Sequence, residues 1–217
     1  MQTIERCYHW PDGKSLTIGK KTLVMGILNV TPDSFADGGR WNTLEQARVH
    51  ALEMVRDGAD IIDIGAESSR PGFVPVSAAE ECERLLPFLE KLLPELPVPV
   101  SVDTFKAQTA AAALELGAHI LNDIQGLQYA DEPGKMAAVA VQYGVPVIAM
   151  HNHAGTQYQG DILAAMRDFF RETLRIARQA GLPEDQLIFD PGIGFGKTPE
   201  GNLQVLRRLA ELQNIDG

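Results

Sequence analysis

The sequence predicts an α/β fold built on a parallel sheet, either a closed barrel or a doubly wound open sheet. Short apolar runs rich in Val, Ile and Leu alternate with stretches of helical periodicity, which is typical of successive βα units. A Gly-Ala pair also precedes two of the apolar runs, at Gly58-Ala59 and Gly117-Ala118, as if helix ends and strand starts recur. We count six βα units and interpret residues 1–217 as a single domain.

Each predicted strand is an apolar run of a few residues, as expected for strands buried on both faces. The six runs are 23–28, 60–64, 98–102, 119–121, 145–150 and 187–189. Residues 2–20 come first and break this pattern. They predict a β-hairpin with Pro11-Asp12-Gly13 in its turn. A hairpin at this point would cover the bottom of a barrel, where the strands begin.

The starts of the first two helices carry capping signals. Thr43 with Gln46 predicts a capping box for the first helix, and Ser77 with Glu80 predicts one for the second. Pro87 lies within the second helical pattern and is expected to bend that helix.

The remaining helices are predicted from periodicity and from the residues that end them. A third helix follows Thr104, and further helices are predicted near 133–143, 161–180 and 199–212. Four glycines are predicted to terminate the helices before them, because glycine readily adopts the left-handed conformation at that position: Gly58, Gly117, Gly144 and Gly181.

Composition and charge narrow the function classes. The chain has 217 residues, 45% of them hydrophobic, and a net charge of −10, which argues against nucleic acid or an anionic membrane as partner. Its apolar runs fall short of the ~20 residues of a membrane span. The N-terminus lacks the apolar region of a secretory signal. Cys7 and Cys82 stand far apart, which suits a reducing cytoplasm.

Polar side chains follow every predicted strand. They include Asn29, Glu67, Asp103, Asn122, His151 and Asp190. Ligands bind at the carboxyl ends of strands in parallel α/β folds, although such residues can also cap the next helix, as Thr104 could. Asp103, Asn122 and Asp190 would be costly to bury unless a ligand pairs with them. A flat nitrogen heterocycle with N–H donors and ring acceptors would suit this set.

The stretch DPGIGFGKT (190–198) is a glycine-rich loop that matches neither a P-loop nor a dinucleotide fingerprint. Its glycines allow the backbone to approach a ligand closely, and Lys197 is either a site cation or a solvated lysine. His151 and His153 have the spacing of a metal-ligand pair on a strand, but a transition-metal site is disfavoured because no further His or Cys is clustered with them.

Several longer stretches together resemble the dihydropteroate synthase family of folate biosynthesis. They are GILNVTPDSFADGG, GADIIDIGAESSRPG, VSVDTFK, LNDIQG, MHNH and DPGIGFGKTPEGNL, in the family's order. They cover the chain from about residue 20 to residue 206, and the first, second and last extend well beyond short patterns.

The resemblance implies a (β/α)8 TIM barrel of which this chain carries six βα units and the N-terminal hairpin. It also implies the condensation of 6-hydroxymethyl-7,8-dihydropterin pyrophosphate with p-aminobenzoate, which releases pyrophosphate and uses Mg²⁺. The pyrophosphate leaves first, and the amine attacks the cation at the pterin methylene. No activated nucleophile is needed, which agrees with the lack of a Ser-His-Asp or Cys-His pattern.

Site residues carry over by motif. Asp103, Asn122 and Asp190 would hold the pterin ring, Met150 would contact substrate, and Asn29 would contact Mg²⁺ and the pyrophosphate. The p-aminobenzoate site would be closed by two loops, whose residues are Phe35 and Asp37 in the first, and Ser69, Arg70 and Pro71 in the second. Asp37, Arg70 and Lys197 are the residues assigned to catalysis, and Asp37 would offer negative charge to the methylene cation.

The chain departs from the family pattern in two ways. Ala66 replaces a glycine and Ser69 a threonine in the second loop, and Ser69 keeps the hydroxyl. The family's last two βα units lie beyond the sixth helix, so we expect these residues to be a C-terminally incomplete part of a barrel that forms a homodimer. A pterin-dependent methyltransferase acting on methyltetrahydrofolate and a non-catalytic truncated paralogue are the alternatives.

Overall fold

A β-hairpin precedes the first βα unit, as the sequence predicts. In the computed structural model, β1 (Arg6–His9) pairs antiparallel with β2 (Ser15–Ile18). The carboxylate of Asp12 in the turn accepts from Nε2 of His119 at 3.0 Å, and Nδ1 of His119 accepts from the Val100 amide at 3.0 Å. Since Val100 begins one strand and His119 precedes another, the hairpin lies where strands begin, as predicted.

The structure describes residues 5–31, 40–67, 75–213 and 215, with the backbone alone at residues 40–42. The chain divides into two compact units, Met1–Asn122 and Asp123–Gly217.

The first unit contains the hairpin and a run of βα units. Its further elements are β3 (Met25–Asn29), α1 (Arg40–Arg56), β4 (Ile61–Gly65), α2 (Ala78–Leu92), β5 (Val100–Asp103), α3 (Ala107–Glu115) and β6 (Ile120–Asp123). The four strands from β3 to β6 pair in parallel in sequence order. All five residues of β4 are buried, which agrees with its apolar sequence.

The second unit begins with the last residue of β6. It contains α4 (Lys135–Tyr143), β7 (Val147–Met150), α5 (Ile162–Ala180), β8 (Leu187–Asp190) and α6 (Pro199–Arg207), with 3₁₀ turns at Glu184–Gln186 and Leu209–Gln213. Strands β7 and β8 pair in parallel. Helix α5 buries Ile162, Met166 and Phe170 at a spacing of four residues, which places all three on one face.

The predicted α/β architecture is confirmed, because each of the six apolar runs overlaps a parallel strand. Each observed strand ends at the predicted residue or one or two residues nearer the C-terminus. Closure into a barrel and the single-domain interpretation stay predictions. No helix within the described ranges combines the length and apolar character that a membrane crossing requires.

The predicted helix ends are confirmed at most positions. The Ser77 hydroxyl accepts from the Glu80 amide at 3.2 Å and caps α2, which continues through Pro87. The four terminating glycines all have positive φ, namely Gly58, Gly117, Gly144 and Gly181. The capping box at Thr43 is wrong, because the backbone is already helical from Arg40 and Thr43 therefore lies inside α1.

Replacing Ser77 tests whether its hydroxyl caps the N-terminus of α2. We expect Ser77→Ala to lower the free energy of unfolding by about 1 kcal/mol, because the Glu80 amide loses its acceptor. Ser77→Asp keeps an acceptor oxygen and should stay near the wild type. Urea unfolding of the three proteins measures the difference, and an equal loss in both variants would contradict a capping role.

Candidate active site

Three predicted site residues lie in one lateral row at the carboxyl edge of the first unit's sheet. The register pairs Asn29 with Gly65, Gly65 with Asp103, and Asp103 with Asn122. Residues paired in this way project their side chains from the same face of a sheet. Asn29 is exposed, and Asp103 and Asn122 are partly buried. The row therefore presents two amides and one carboxylate on one face.

Gly65 leaves the space that Asp103 occupies in this row. A Cβ at position 65 would lie 3.2 Å from both Cβ and Oδ2 of Asp103, which is tighter than nine in ten real Cβ contacts. The glycine at the end of β4 therefore has a steric role in the row.

Asp63 is a site residue that the sequence analysis missed. It lies two residues before Gly65 on β4, so its side chain leaves the same face of the sheet. Its Oδ2 accepts from Nδ2 of Asn122 at 3.0 Å, and it is 4% exposed. Burial raises the pKa of Asp63. An acid in the middle of the apolar run DIIDI was the available signal, because a carboxylate there needs a partner.

A second buried polar group, the Glu67–Lys106–Glu81 cluster, lies just beyond the end of β4. The Lys106 ammonium contacts Glu67 Oε2 and lies 3.1 Å from Glu81 Oε2, and Glu81 also accepts from the Thr109 hydroxyl at 2.8 Å. All three charged side chains are buried. Burial raises the pKa of Glu81. Only Glu67 of the three was predicted to be near a site, because Glu81 and Lys106 lie in helical sequence patterns typical of solvated residues.

In the second unit, Asp190 ends β8 beside Met150 at the end of β7. One oxygen of Asp190, Oδ1, accepts from the Gly192 amide at 2.8 Å, and the residue is partly exposed. Met150 is buried. The backbone carbonyl of Asp190 accepts from the His151 amide at 2.8 Å. Asp190 is therefore held at a strand end by two backbone amides and is partly exposed.

The glycine-rich loop folds against the residues that follow β7. A Cβ at Gly192 would lie 2.1 Å from the His151 carbonyl oxygen, and one at Gly196 would lie 2.4 Å from that of His153. Both glycines have positive φ. Only glycine fits these two positions, so the predicted close approach of this loop is made to the protein's own backbone.

Lys197 is buried, at 6% exposed, rather than solvated. Its ammonium lies 3.1 Å from Nδ1 of His151 and donates to the carbonyls of Gly192 and Phe195 at 2.8 and 2.9 Å. Burial lowers its pKa to about 8. The assignment of Lys197 as a catalytic cation stays a prediction, and the contacts described for it are to protein groups.

His151 and His153, the predicted pair of possible metal ligands, have different surroundings. His151 is buried, and its ring packs against Phe169 with centroids 5.0 Å apart. Burial and the nearby Lys197 charge lower the pKa of His151 to about 3, so it is neutral at physiological pH. His153 is exposed and stacks on Tyr158 at 4.5 Å. Among the described residues, no three His, Cys, Asp or Glu side chains form a group suited to a metal ion.

Asp123, at the start of the second unit, is committed to the backbone. Its oxygens accept from the amides of Gln125 and Leu127 at 2.8 and 2.7 Å. Burial raises the pKa of Asp123 to about 6. These bonds hold Leu127 at a φ of 68°, a strained value for a residue with a side chain.

A cavity of about 700 Å³ lies beside this turn, between α4 and α5. Its lining includes Leu127, Tyr129, Lys135, Arg175 and Gln179. The residues that line it include none of the predicted site residues, so the cavity does not define the candidate site.

The remaining predicted site residues lie outside the described ranges. They are Phe35 and Asp37 of the first loop, and Ser69, Arg70 and Pro71 of the second. Their assignments stay predictions.

Comparisons with known proteins agree with the family resemblance of the sequence motifs. The chain matches the family model described as pterin binding enzyme over residues 25–217. It is 50% identical to the dihydropteroate synthase of Bacillus subtilis over 195 residues, which are 90% of this chain and 67% of that protein.

Solved structures give the same result. A dihydropteroate synthase from Clostridium difficile, in the presence of pteroic acid, superposes with a TM-score of 0.85 and 48% identity over 91% of this chain and 74% of that one. The Xanthomonas albilineans dihydropteroate synthase with 4-aminobenzoic acid gives 0.85 and 41% identity over 93% and 72%. The chain thus spans about two thirds to three quarters of the length of these proteins.

Removing the cation of the Glu67–Lys106–Glu81 cluster should be strongly destabilising. We expect Lys106→Met to lower the free energy of unfolding by about 3–5 kcal/mol, because two buried carboxylates would lose their counter-charge. Lys135→Met, at an exposed lysine, is the control and should change it by less than about 0.5 kcal/mol. A loss near that of the control in urea unfolding would mean that Lys106 does not hold the cluster together.

His151 should contribute to acid sensitivity. Its folded pKa of about 3 lies below the unfolded value of 6.5, so the unfolded state binds the extra proton first and stability falls as pH drops from about 6.5 towards 3. The slope from this group is at most about 1.4 kcal/mol per pH unit. Asp123 acts in the opposite direction between about pH 6 and 3.8, because its folded pKa is raised.

The comparison between wild type and His151→Asn isolates this contribution. We expect the variant to lose less stability than the wild type between pH 7 and pH 5 in urea unfolding, whatever its stability at pH 7. Equal losses in the two proteins would show that His151 does not titrate between the folded and unfolded states in this range.

Proposed function

The chain belongs to the pterin-binding enzyme family, and we propose that it acts as a dihydropteroate synthase. The reaction joins 6-hydroxymethyl-7,8-dihydropterin pyrophosphate to p-aminobenzoate and is a group transfer, so the enzyme is a transferase. The single observation that carries the proposal is the row of Asn29, Asp103 and Asn122 at one carboxyl edge, with Asp63 bonded to Asn122. The synthase names of its relatives favour this function over that of a methyltransferase.

The row suits recognition of a pterin ring. An amide group offers one acceptor and two donors, and a carboxylate offers acceptors only. Asp63 uses one N–H of Asn122, which fixes the plane of that amide and directs its other groups. Asp103, Asn122 and Asp190 are proposed to hold the pterin, as the family resemblance implies, and Met150 is proposed as an apolar contact.

The reaction then requires stabilisation of the charges that develop on the pyrophosphate and on the pterin methylene, and it requires no nucleophilic side chain. The C–O bond to pyrophosphate breaks with its electron pair on the leaving group, and the pterin methylene becomes cationic. The amine of p-aminobenzoate forms the new C–N bond and releases a proton. Asp37 is proposed to stabilise the cation, and Arg70 with Phe35, Ser69 and Pro71 is proposed to bind the second substrate.

Mg²⁺ fits the donor that this chain supplies. Mg²⁺ prefers hard oxygen ligands and is commonly held by one or two protein groups together with substrate phosphates. The exposed carboxamide of Asn29, at the end of β3, is such a donor. When bound, Mg²⁺ would neutralise charge on the pyrophosphate and make it a better leaving group.

We also propose a cytoplasmic homodimer with small-molecule substrates and no nucleic-acid or membrane partner. The net charge of −10 supports the absence of anionic partners. Cys7 and Cys82 are both free thiols, which supports a reducing compartment.

The direct test is pyrophosphate release by the purified chain from dihydropterin pyrophosphate and Mg²⁺, with and without p-aminobenzoate. We expect release that depends on p-aminobenzoate and yields dihydropteroate. Pterin binding without release would favour the non-catalytic paralogue, and methyl transfer from methyltetrahydrofolate would favour the methyltransferase.

Metal dependence should follow from the proposed role of Asn29. We expect a chelator to abolish release and Mg²⁺ to restore it, and Asn29→Ala to raise the Mg²⁺ concentration needed for half-maximal rate by about tenfold. Asn202→Ala, at a side chain that bonds within the 194–202 segment, serves as the comparison. An unchanged Mg²⁺ requirement in Asn29→Ala would remove this residue from the metal site.

The bond between Asp63 and Asn122 should affect the pterin substrate selectively. We expect Asp63→Ala to raise the KM for dihydropterin pyrophosphate by about tenfold and the KM for p-aminobenzoate by less than about twofold, because the Asn122 amide loses its fixed orientation. Asp63→Asn keeps an acceptor oxygen, so its KM for dihydropterin pyrophosphate should lie between those of the wild type and Asp63→Ala. Steady-state kinetics decide this, and equal changes in both KM values would argue for general unfolding instead.

A further inference from the structure

Lys197 uses its whole hydrogen-bonding capacity on three protein acceptors. A lysine ammonium has three N–H donors, and here they face Nδ1 of His151, the carbonyl of Gly192 and the carbonyl of Phe195. Because an ammonium only donates, Nδ1 of His151 is the acceptor and the ring proton is on Nε2. A buried cation of this kind is costly unless its donors are satisfied, so the three bonds keep it in place.

Two of the three acceptor residues, Gly192 and His151, also donate their backbone amides to Asp190. Lys197 holds the carbonyl of Gly192, and the amide of Gly192 donates to Oδ1 of Asp190 at 2.8 Å. On the other side, the amide of His151 donates to the Asp190 carbonyl at 2.8 Å. Gly192 and His151 therefore each bond both to Lys197 and to Asp190.

We propose that Lys197 and His151 form a positioning pair that fixes the Asp190 carboxylate for recognition of the pterin ring. The name of the ligand rests on the proposed function, but the positioning of Asp190 does not. In this role Lys197 is a structural donor to the loop, and it does not touch the leaving pyrophosphate. The pair explains why the Lys197 ammonium of the glycine-rich loop and the neutral imidazole of His151, which follows β7, are buried against each other.

The protonation states agree with this geometry. His151 stays neutral because burial and the Lys197 charge lower its pKa to about 3, so its acceptor nitrogen persists at physiological pH. Burial lowers the pKa of Lys197 to about 8, although the Asp190 charge opposes this. The neighbouring His153 also lowers the pKa of His151. Above about pH 8 the neutral amine has two N–H donors for three acceptors, so one bond is lost.

The test compares amide hydrogen exchange with kinetics in matched variants. Lys197→Met removes the donor, and Lys135→Met at an exposed lysine is its control. His151→Leu removes the acceptor, whereas His151→Asn places a carbonyl oxygen near the position of Nδ1. We measure exchange at the Gly192 amide, with amides of α5 as internal references, and the KM for each substrate.

We expect about tenfold or faster exchange at Gly192 in Lys197→Met and His151→Leu, with α5 unchanged, because a bond to a charged group is lost. His151→Asn should stay within about threefold of the wild type. The KM for dihydropterin pyrophosphate should rise about tenfold in the two disruptive variants, while that for p-aminobenzoate stays within about twofold. In the wild type, the same KM should rise between pH 7 and pH 9.

Two results would overturn the proposal. Unchanged Gly192 exchange in both disruptive variants would show that the pair does not position the loop. A lower kcat in Lys197→Met, with unchanged exchange and unchanged pterin KM, would make Lys197 a catalytic cation instead. If Lys197→Met unfolds as a whole, the difference between His151→Leu and His151→Asn decides. An inactive wild type would count against the proposed function, and exchange at Gly192 would still decide the positioning role.

Discussion

The parallel register of the first unit is the constraint on which its candidate site depends. Asn29, Gly65, Asp103 and Asn122 come from four different βα units, yet the pairing of β3 to β6 sets them at one height. A one-residue shift of any strand would turn its side chain to the opposite face. The apolar residues that fix the register, such as Ile62, Ile64 and Val102, therefore also fix the geometry of the polar row.

Burial of charge is the recurring cost in both units, and each case is met by a specific partner. Asp63 is bonded to Asn122, Lys106 lies between two carboxylates, and the Lys197 ammonium has three acceptors. Since a buried ion without partners would lose far more than a hydrogen bond returns, such groups tend to lock their neighbours in place. In this chain, the locked neighbours include a proposed ligand-binding residue in each unit, Asn122 and Asp190.

Sequence patterns predicted the strands well because most residues of these strands are apolar, and a polar residue lies at the end of each strand or within two residues after it. Helix ends followed where a glycine or a serine cap forced them, as at Gly181 and Ser77. The predicted start of α1 at Thr43 was wrong, because the helix already begins at Arg40. Contacts between residues far apart in the chain, such as Lys106 with Glu81, leave no periodic pattern in the sequence. They could be identified only once the structure was known.

Four acids of the strands differ in how accessible they are. Both oxygens of Asp123 accept backbone amides, and Asp63 is almost fully buried, so each is committed to the protein. Asp103 and Asp190 are partly exposed at the ends of β5 and β8. Burial raises the pKa of Asp63 and Asp123. A carboxylate proposed to receive N–H donors from a ligand has to stay accessible, and of these four acids Asp103 and Asp190 combine a strand-end position with partial exposure.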